Sequence, residues 1–430
     1  MTHVRPPVRV VSRALVLLAA LLVASPALAA KQRKPAAPRQ TYVLARHLDI
    51  AVDIDAPSMT LDARHRAISA RFATADSITP GSPYLGGLQR RNVRGNLRDF
   101  NETEVEAGMP LWLPGQRDAF AATVTTGLHE VEQDLARRRL EVARLLRDAW
   151  WNAQRAARDV AVARSRVATA RDLGRDMKRR VELGDAAQGD ALLAQNETLA
   201  AETELAEMEG QEKAARVDYM VLTGGAPPDG ALEPIRPPAD IENHPALRAP
   251  RAALVRAEAE LRLIHATPIE SPDIGVFGRY EYNNQYSTDP TQQLSNQRTD
   301  STTVGVRVRV PLPTPGRNEP RIAEAQAEMR RATAEYERAK RVVLGDIAAA
   351  RATLAAAQRA AKLATERLKV ANDQFELSRK SFSLGEISAL DLYRLRQIQL
   401  DAQRMHASAM VNAGAAVSRL NQAMGYAPGL

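Results

Sequence analysis

Four acidic side chains are the clearest candidates for chemistry in this 430-residue sequence. Asp185 and Glu386 each follow a Leu-Gly pair, and Asp190 and Asp391 each come five residues later. If several copies of the chain surround one axis, such carboxylates would form rings that attract or hold cations at a constriction. Asp190 and Asp391 could equally serve as plain helix caps. The sequence leaves both interpretations open.

Catalytic and metal-binding chemistry have no comparable candidates. The seven histidines are scattered, and none belongs to an H-x-x-x-H or H-x-E cluster. Neither a G-x-x-x-x-G-K-[ST] phosphate loop nor a G-x-S-x-G nucleophile turn occurs. With no cysteines, disulfides and thiolate ligands are excluded. The sequence therefore predicts no enzyme activity, no metal site and no cofactor.

Composition points to helices rather than to a compact enzyme core. Hydrophobic residues make up 45% of the chain, aromatic residues only 4% and charged residues 26%. Such a mixture suits long helices that pack through small side chains. A net charge of +8 is small for this length and is spread among alternating signs. It does not predict a nucleic-acid partner.

The N-terminus has the pattern of a secretory signal peptide, residues 1–29. Arg5, Arg9 and Arg13 precede the apolar run 14–23, and Ala27-Leu28-Ala29 supplies a small-x-small cleavage site. This run is shorter than the ~20 residues of a membrane-spanning helix, which favours a cleaved signal over an anchor. Residues 30–44 then read as a disordered, basic lead-in. No later stretch reaches ~18 apolar residues, so a membrane crossing would require a closed β-barrel.

An internal duplication organises the rest of the chain. MPLWLPGQR at 109–117 matches VPLPTPGRN at 310–318, an offset of 201 residues. The Leu-Gly-acid segments at 183–185 and 384–386 keep this offset, as do LTGGAP at 222–227 and AMGYAP at 423–428. We therefore predict two repeats, residues 45–230 and 231–430.

Each repeat is predicted to contain a long helical hairpin, at about 115–222 and 316–423. In the second, Val343, Ala350 and Ala357 continue a spacing of seven that is typical of coiled coils. From Gly115 to the first Leu-Gly turn, the helix would be roughly 100 Å long at ~1.5 Å per residue. Shorter helices are predicted upstream, at about 58–78 and 245–266.

Strand pairs are predicted between these helices, at about 83–112 and 272–311, with a polar loop at 283–300. In the last strand a period of two separates the valines from the arginines. One face would contact lipid through Val304, Val306, Val308 and Val310. The other would line a water-filled lumen with Glu104, Glu106, Arg279, Glu281, Arg307 and Arg309. The alternative is a soluble sandwich whose core holds the valines.

The order of these elements resembles that of the TolC-type outer-membrane efflux channels. Two segments carry the resemblance most clearly, VGVRVRVPLPTPGRNEPRIAEAQAEMRRA at the strand-to-helix junction and SFSLGEISALDLYRLRQIQLDAQ at the hairpin turn. The first is similar to the heavy-metal (CzcC-like) branch in particular. Residues 45–428 are covered, although 45–60 match poorly and the cysteine of a lipid anchor is absent.

The resemblance implies a fold, an assembly and partners. Its fold is that of an α+β membrane protein: a homotrimer with a twelve-stranded β-barrel in outer-membrane lipid and an α-helical barrel in the periplasm. A periplasmic adaptor would dock at the tips, where Leu183, Gly184, Leu384 and Gly385 lie beside the acidic residues. An inner-membrane pump, of the RND type or of a type I secretion system, would supply the energy. The channel itself would be passive, and metal ions, drugs and polypeptides all remain possible substrates.

A soluble periplasmic adaptor protein is the competing hypothesis. It would also contain a coiled-coil hairpin and pass through the secretory pathway. However, an adaptor would need β-rich domains flanking one hairpin, whereas this sequence repeats its hairpin at an offset of 201 residues.

Overall fold

The computed structural model describes residues 43–92, 98–229, 233–238, 240–285 and 297–428. All of them belong to the unit formed by residues 41–430. The predicted signal peptide, and the lead-in as far as residue 42, lie outside the described residues.

Four antiparallel strands form one sheet in the order β1-β2-β3-β4. Their bounds are Tyr84–Arg91, Arg98–Pro110, Asp273–Gln285 and Gln297–Arg309. The central pair, β2 with β3, joins the two predicted repeats and places Glu104 opposite Arg279. The second strand pair extends into the predicted polar loop, because residues 283–285 and 297–300 are still paired. Main-chain hydrogen bonds can continue a ladder whether or not the side chains are polar.

Three short helices precede the first strand pair, where the sequence predicted one helix at about 58–78. They are α1 Val43–Asp53, α2 Ala56–Ser69 and α3 Phe72–Asp76. Asp55 separates the first two because its extended backbone stops α1 and its carboxylate accepts the N–H of Ser58 at 3.0 Å. In the second repeat a single helix, α6 Pro245–His265, occupies the corresponding place.

Two long hairpins account for most of the chain. The first hairpin pairs α4 Gln116–Glu182 with α5 Gln188–Leu222, and the second pairs α7 Glu319–Ser383 with α8 Ala389–Ala423. Helix α4 packs against both α5 and α8, and α7 packs against α8. The four helices therefore lie in the order α5-α4-α8-α7, with α5 and α7 at the two sides. Helix α6 packs against both α4 and α7.

Glycines at matching positions turn the chain in both halves. Gly184 and Gly385, at the two hairpin turns, have φ angles of 82° and 79°. In this left-handed region a Cβ atom would be strained, whereas glycine is not. Two further pairs at the same offset, Gly115 with Gly316 and Gly224 with Gly425, also have positive φ.

The helical core lies where α1 meets α4, α5 and α8. Trp150 and Trp151 are both buried there, in contact edge to face with ring centroids 4.7 Å apart. The Trp151 indole N–H donates to Ser418 Oγ at 3.0 Å, which links the two hairpins. Arg147, also buried, binds Glu233 at 3.0 Å and so fixes the segment between the repeats.

The fold class is confirmed: the described chain is mostly helical, with long helices and one four-stranded antiparallel sheet. Among the described residues, no helix combines the length and apolar character that crossing a membrane would require.

Candidate functional site

The apolar face of the sheet is uncovered. Val304, on β4, has 80% of its surface exposed, and Val306, Val308 and Val310 are also exposed. On the neighbouring strands, Val276 and Val105 lie on the same side and are exposed as well. The sandwich alternative, with these valines in a core, is wrong for the described chain, because its strands form a single sheet.

The opposite face carries an alternating series of ion pairs that runs across all four strands. Arg90 lies 3.3 Å from Glu102, and Arg279 lies 2.9 Å from Glu102 and 2.7 Å from Glu104. Arg307 contacts both Glu104 and Glu106. We call this series the ion-pair chain. Its members in order are Arg90, Glu102, Arg279, Glu104, Arg307 and Glu106.

Glycines make room for this network. Arg307 of β4 reaches over β3 to the carboxylates of β2, and the residue opposite it on β3 is Gly275. A Cβ atom on Gly275 would lie 2.9 Å from the Ala107 carbonyl oxygen and 3.4 Å from Glu106 Oε1. Phe277 lies beside the path, with its ring centroid 5.0 Å from the Arg307 guanidinium. A Cβ on Gly305 would come within 2.6 Å of that ring.

All six residues predicted to line a lumen lie on this charged face. Glu104, Glu106, Arg279 and Arg307 belong to the ion-pair chain, and Arg309 lies 4.0 Å from Asp273. Glu281 has no ion pair within the described residues. Sequence reasoning missed Arg90, Glu102 and Tyr84, whose hydroxyl donates to Glu106 at 3.1 Å. Tyr84 and Arg90 lie on β1, where apolar and polar residues do not alternate, so only the register identifies them. Glu102 lies two residues before Glu104 on β2, and the same period of two indicates it.

At the hairpin tips the structure shows helix capping. The Asp190 carboxylate accepts the N–H of Ala187 at 3.3 Å. Asp391 donates its own N–H to Ser388 Oγ at 3.1 Å, and its carboxylate accepts the Ser388 hydroxyl at 2.7 Å. Asp185 and Glu386 sit exposed at the turns. A single chain thus displays the capping role, whereas a ring of carboxylates would require further copies.

Each tip also presents an exposed leucine, and the two tips contact each other. Leu183 and Leu384 have 69% and 73% of their surface exposed. The Arg180 guanidinium of α4 lies 4.4 Å from the ring centroid of Phe382 on α7, a cation–π distance. No spacing rule in the sequence indicated this contact.

A buried arginine lies farther from the tips, inside the second hairpin. Arg396 of α8 is only 7% exposed, and its guanidinium is 5.1 Å from the centroid of the Phe375 ring. Burial, together with the positive charge of Arg166, lowers the pKa of Arg396 to about 10. Burial raises the pKa of the Tyr393 hydroxyl, one turn away, and the nearby Glu197 carboxylate adds to this. Arg396 and Tyr393 are polar, but their arrangement indicates no catalytic chemistry.

A groove separates α4 from α5 near the first tip. Its volume is about 610 Å³, and basic residues of α4 and leucines of α5 line it. Representative residues are Arg175, Lys178, Leu192 and Leu199. In the part of the chain described here, no three histidine, aspartate or glutamate side chains lie close enough to hold a metal ion.

The second repeat matches a known protein family. Residues 238–426 match the sequence model of the family described as outer membrane efflux protein. No curated protein matches the chain by sequence. The family match agrees with the prediction that the chain is not an enzyme, since outer-membrane efflux channels are passive.

Solved structures resemble nearly the whole chain. The outer membrane protein VceC from Vibrio cholerae is 17% identical, with a TM-score of 0.67, and the match covers 89% of this chain and 96% of VceC. A membrane protein from Pseudomonas aeruginosa is 18% identical, with a TM-score of 0.70 and coverages of 93% and 100%. The channel-forming protein CusC is 14% identical, with a TM-score of 0.71, and the match covers 92% of this chain and 95% of CusC. Residues 238–426 thus match the outer membrane efflux protein family, and the chain as a whole has the fold of the outer-membrane channels VceC and CusC.

Proposed function

We propose that this chain is one of three identical subunits of an outer-membrane channel that passively conducts solutes delivered by a periplasmic adaptor and an inner-membrane pump. The observation that carries the proposal is the two-faced sheet. One face exposes valines such as Val304, and the other is occupied by glutamates and arginines. This division suits a wall between lipid and water.

The sheet needs partners to become such a wall. Strands β1 and β4 lie at its edges, and each has a neighbour on one side only. Unpaired backbone groups cannot face hydrocarbon, so the edges must be joined to other strands. Three copies would supply twelve strands and close the sheet into a barrel, as the resemblance to TolC-type channels implies.

The helices at the two sides of the row carry apolar stripes that stay exposed among the described residues. On α7 the stripe contains Leu363, Val370 and Leu377, and it continues at the same spacing of seven to Leu384 just beyond the helix; Leu363 and Leu377 are each 65% exposed. On α5 the exposed Leu192 and Leu199 are also seven residues apart and border the groove beside α4. A spacing of seven is the pattern by which helices pack as coiled coils.

Charge favours contact between these two sides rather than between two copies of one side. Helix α5 has eight acidic and two basic residues, whereas α7 has thirteen basic and nine acidic residues. An α7 side would therefore fit the α5 side of another copy. When one surface of a subunit binds a different surface of the next copy, the copies form a closed ring if the rotation between neighbours adds up to a full turn. A ring of three would enclose a helical tunnel below the barrel.

The tips are the proposed contact for the adaptor. Leu183, Gly184, Leu384 and Gly385 form the exposed ends of the two hairpins. In a ring of three copies, Asp185, Asp190, Glu386 and Asp391 would recur around the axis. There they would form carboxylate rings in addition to capping helices.

Two measurements on purified protein test the proposal. In detergent, the particle should have the mass of three chains, and in planar lipid bilayers it should add stepwise conductance. A monomer that adds no conductance would contradict the proposal. Recovery in the soluble periplasmic fraction, without outer-membrane association, would favour the soluble adaptor instead.

A further inference from the structure

The ion-pair chain on the charged face is balanced within one subunit. It contains three arginines and three glutamates, and every member contacts at least one member of opposite sign. Glu104 is the central carboxylate, because both Arg279 and Arg307 bind it. Since opposite charges at these distances cancel one another's fields within a few ångströms, a passing ion would meet little net charge.

The arginines extend along the sheet. Arg307 reaches sideways over Gly275 to the carboxylates on β2, beside the Phe277 ring. Arg279 lies 5.7 Å from the centroid of the same ring and shares Glu104 with Arg307, while its second carboxylate partner is Glu102. Gly275 and Gly305 leave room for these contacts, because a Cβ atom at either position would lie too close to the neighbouring atoms.

The carboxylates are more deeply buried than the arginines. The side chains of Glu102 and Glu104 are each 5% exposed, and those of Arg279 and Arg307 are 37% exposed. The negative charges of the buried carboxylates therefore act mainly on the neighbouring arginines and less on solutes in the duct. If one glutamate were removed, an accessible arginine would lose its neutralising partner.

We propose that the ion-pair chain makes the part of the duct that it lines neutral, so that this part passes solutes of either charge, and that Glu104 and Arg307 maintain this balance. The proposal rests on the proposed function, because it requires the charged face to line the duct. It names a property of the substrates: charge sign would not decide passage at this level.

Reversal potentials in a KCl gradient across planar bilayers test this proposal. Glu104→Gln leaves two arginines without their shared carboxylate, so the reversal potential should shift toward the chloride equilibrium potential. Arg307→Gln leaves Glu106 without an arginine and Glu104 with Arg279 alone, so the reversal potential should shift toward the potassium equilibrium potential. The double variant with both substitutions removes one charge of each sign, and its reversal potential should return to the wild-type value.

The controls separate selectivity from damage to the fold. Arg298→Gln removes the same charge from the opposite face of β4 and should leave the reversal potential unchanged. Glu106→Gln, at the end of the ion-pair chain, provides a milder variant whose shift should have the same sign as that of Glu104→Gln. Shifts of equal sign for Glu104→Gln and Arg307→Gln, or no shift in either, would overturn the inference. Absence of conductance in the wild type would instead contradict the proposed function.

Discussion

The two helical hairpins share a backbone plan but are held together by different chemistry. In the first, arginines of α4 reach acidic residues of α5: Arg164 lies 2.9 Å from Glu209, and Arg171 lies 2.7 Å from Glu202. In the second, the described residues show no ion pair between α7 and α8. There, buried apolar side chains such as Phe375 fill the interface.

Residues at matching positions of the two hairpins differ in chemical character. Phe375 corresponds, at the offset of 201 residues, to Gly174 in the first hairpin. The groove of about 610 Å³ beside α4 is lined by that glycine. Nearer the strands, Tyr219 bonds to His47 at 2.8 Å, and its counterpart is the buried Leu420. Turn glycines fix the hairpin geometry, and the side chains between them are free to differ.

The largest effect is expected from the aromatic side chain of the second hairpin. Phe375→Ala should lower the free energy of unfolding by about 3–5 kcal/mol, because it empties a buried site. The exposed neighbour change Glu376→Ala is the matched control and should have little effect. Thermal and denaturant unfolding followed by circular dichroism would measure both. Equal stability of the two variants would show that Phe375 does not hold the hairpin.

A smaller, salt-dependent effect is expected in the first hairpin. Replacing Arg164, Arg166 and Arg171 together by glutamine should lower stability by about 1–2 kcal/mol at low salt, since ion pairs that solvent reaches wholly or in part contribute little each. At ~1 M salt the difference should nearly vanish, because the screening length falls to ~3 Å. The Phe375→Ala deficit should persist at both salt concentrations. If salt reduced both losses of stability equally, the result would contradict the proposed chemical difference between the two hairpins.

Acidification should loosen the N-terminal helix α1. Burial lowers the pKa of His47, and the charge of Arg46 adds to this while Asp229 opposes it. Because the folded-state pKa lies below the ordinary value of about 6.5, protonation favours the unfolded form. The stability that neutral His47 contributes is therefore complete above that value and declines as the pH falls below it.

Hydrogen exchange at pH 7.5 and 5.5, corrected for the intrinsic rate, would measure this loosening. Residues 43–53 should lose protection at the lower pH, while α7, which contains no histidine, should not. In His47→Asn the pH dependence should disappear. Unchanged protection of α1 in the wild type would contradict the assignment.

The smallest difference is expected at the helix caps behind the tips. Ser388→Ala should cost about 1 kcal/mol, because it removes the side chain that accepts the N–H of Asp391. Asp190→Ala should cost less, about 0.5 kcal/mol, since the first hairpin has Ala187 at the cap position and only one long hydrogen bond. Local hydrogen exchange at the start of α8 and of α5 would compare them. A larger loss in Asp190→Ala would reverse the expected order.

Much of the fold was accessible from sequence because its signals are local and periodic. Spacings of seven predicted the hairpins, alternation predicted β4, and Gly184 and Gly385 marked the turns. Two features upstream of the first strand pair were missed. Helix α1 precedes the predicted helix at about 58–78 and is separated from α2 by the cap at Asp55, and the predicted helix itself is divided into α2 and α3.

The contacts between elements were less accessible. The ion-pair chain joins Arg90 to Glu106 through strands that lie far apart in sequence, so it requires the sheet register. The Arg180–Phe382 contact between the tips likewise depends on how two hairpins lie side by side. Neither is encoded in a spacing along the chain. The offset of 201 residues makes Glu106 and Arg307 equivalent positions of the two repeats, but it does not predict the ion pair between them.

The most direct test of the account places the same charge on the two faces of β4. Val306→Glu and Arg307→Glu alter neighbouring residues whose side chains point to opposite sides. If the valine face contacts lipid, Val306→Glu should sharply reduce the protein recovered in the outer-membrane fraction. A charge on the lipid side of such a wall costs up to several kcal/mol near the bilayer centre, about 2–4 for the basic side chains and less for acidic ones. Arg307→Glu should still insert and should change conductance instead. Equal recovery of the two variants would contradict the assignment of one face to lipid and the other to water.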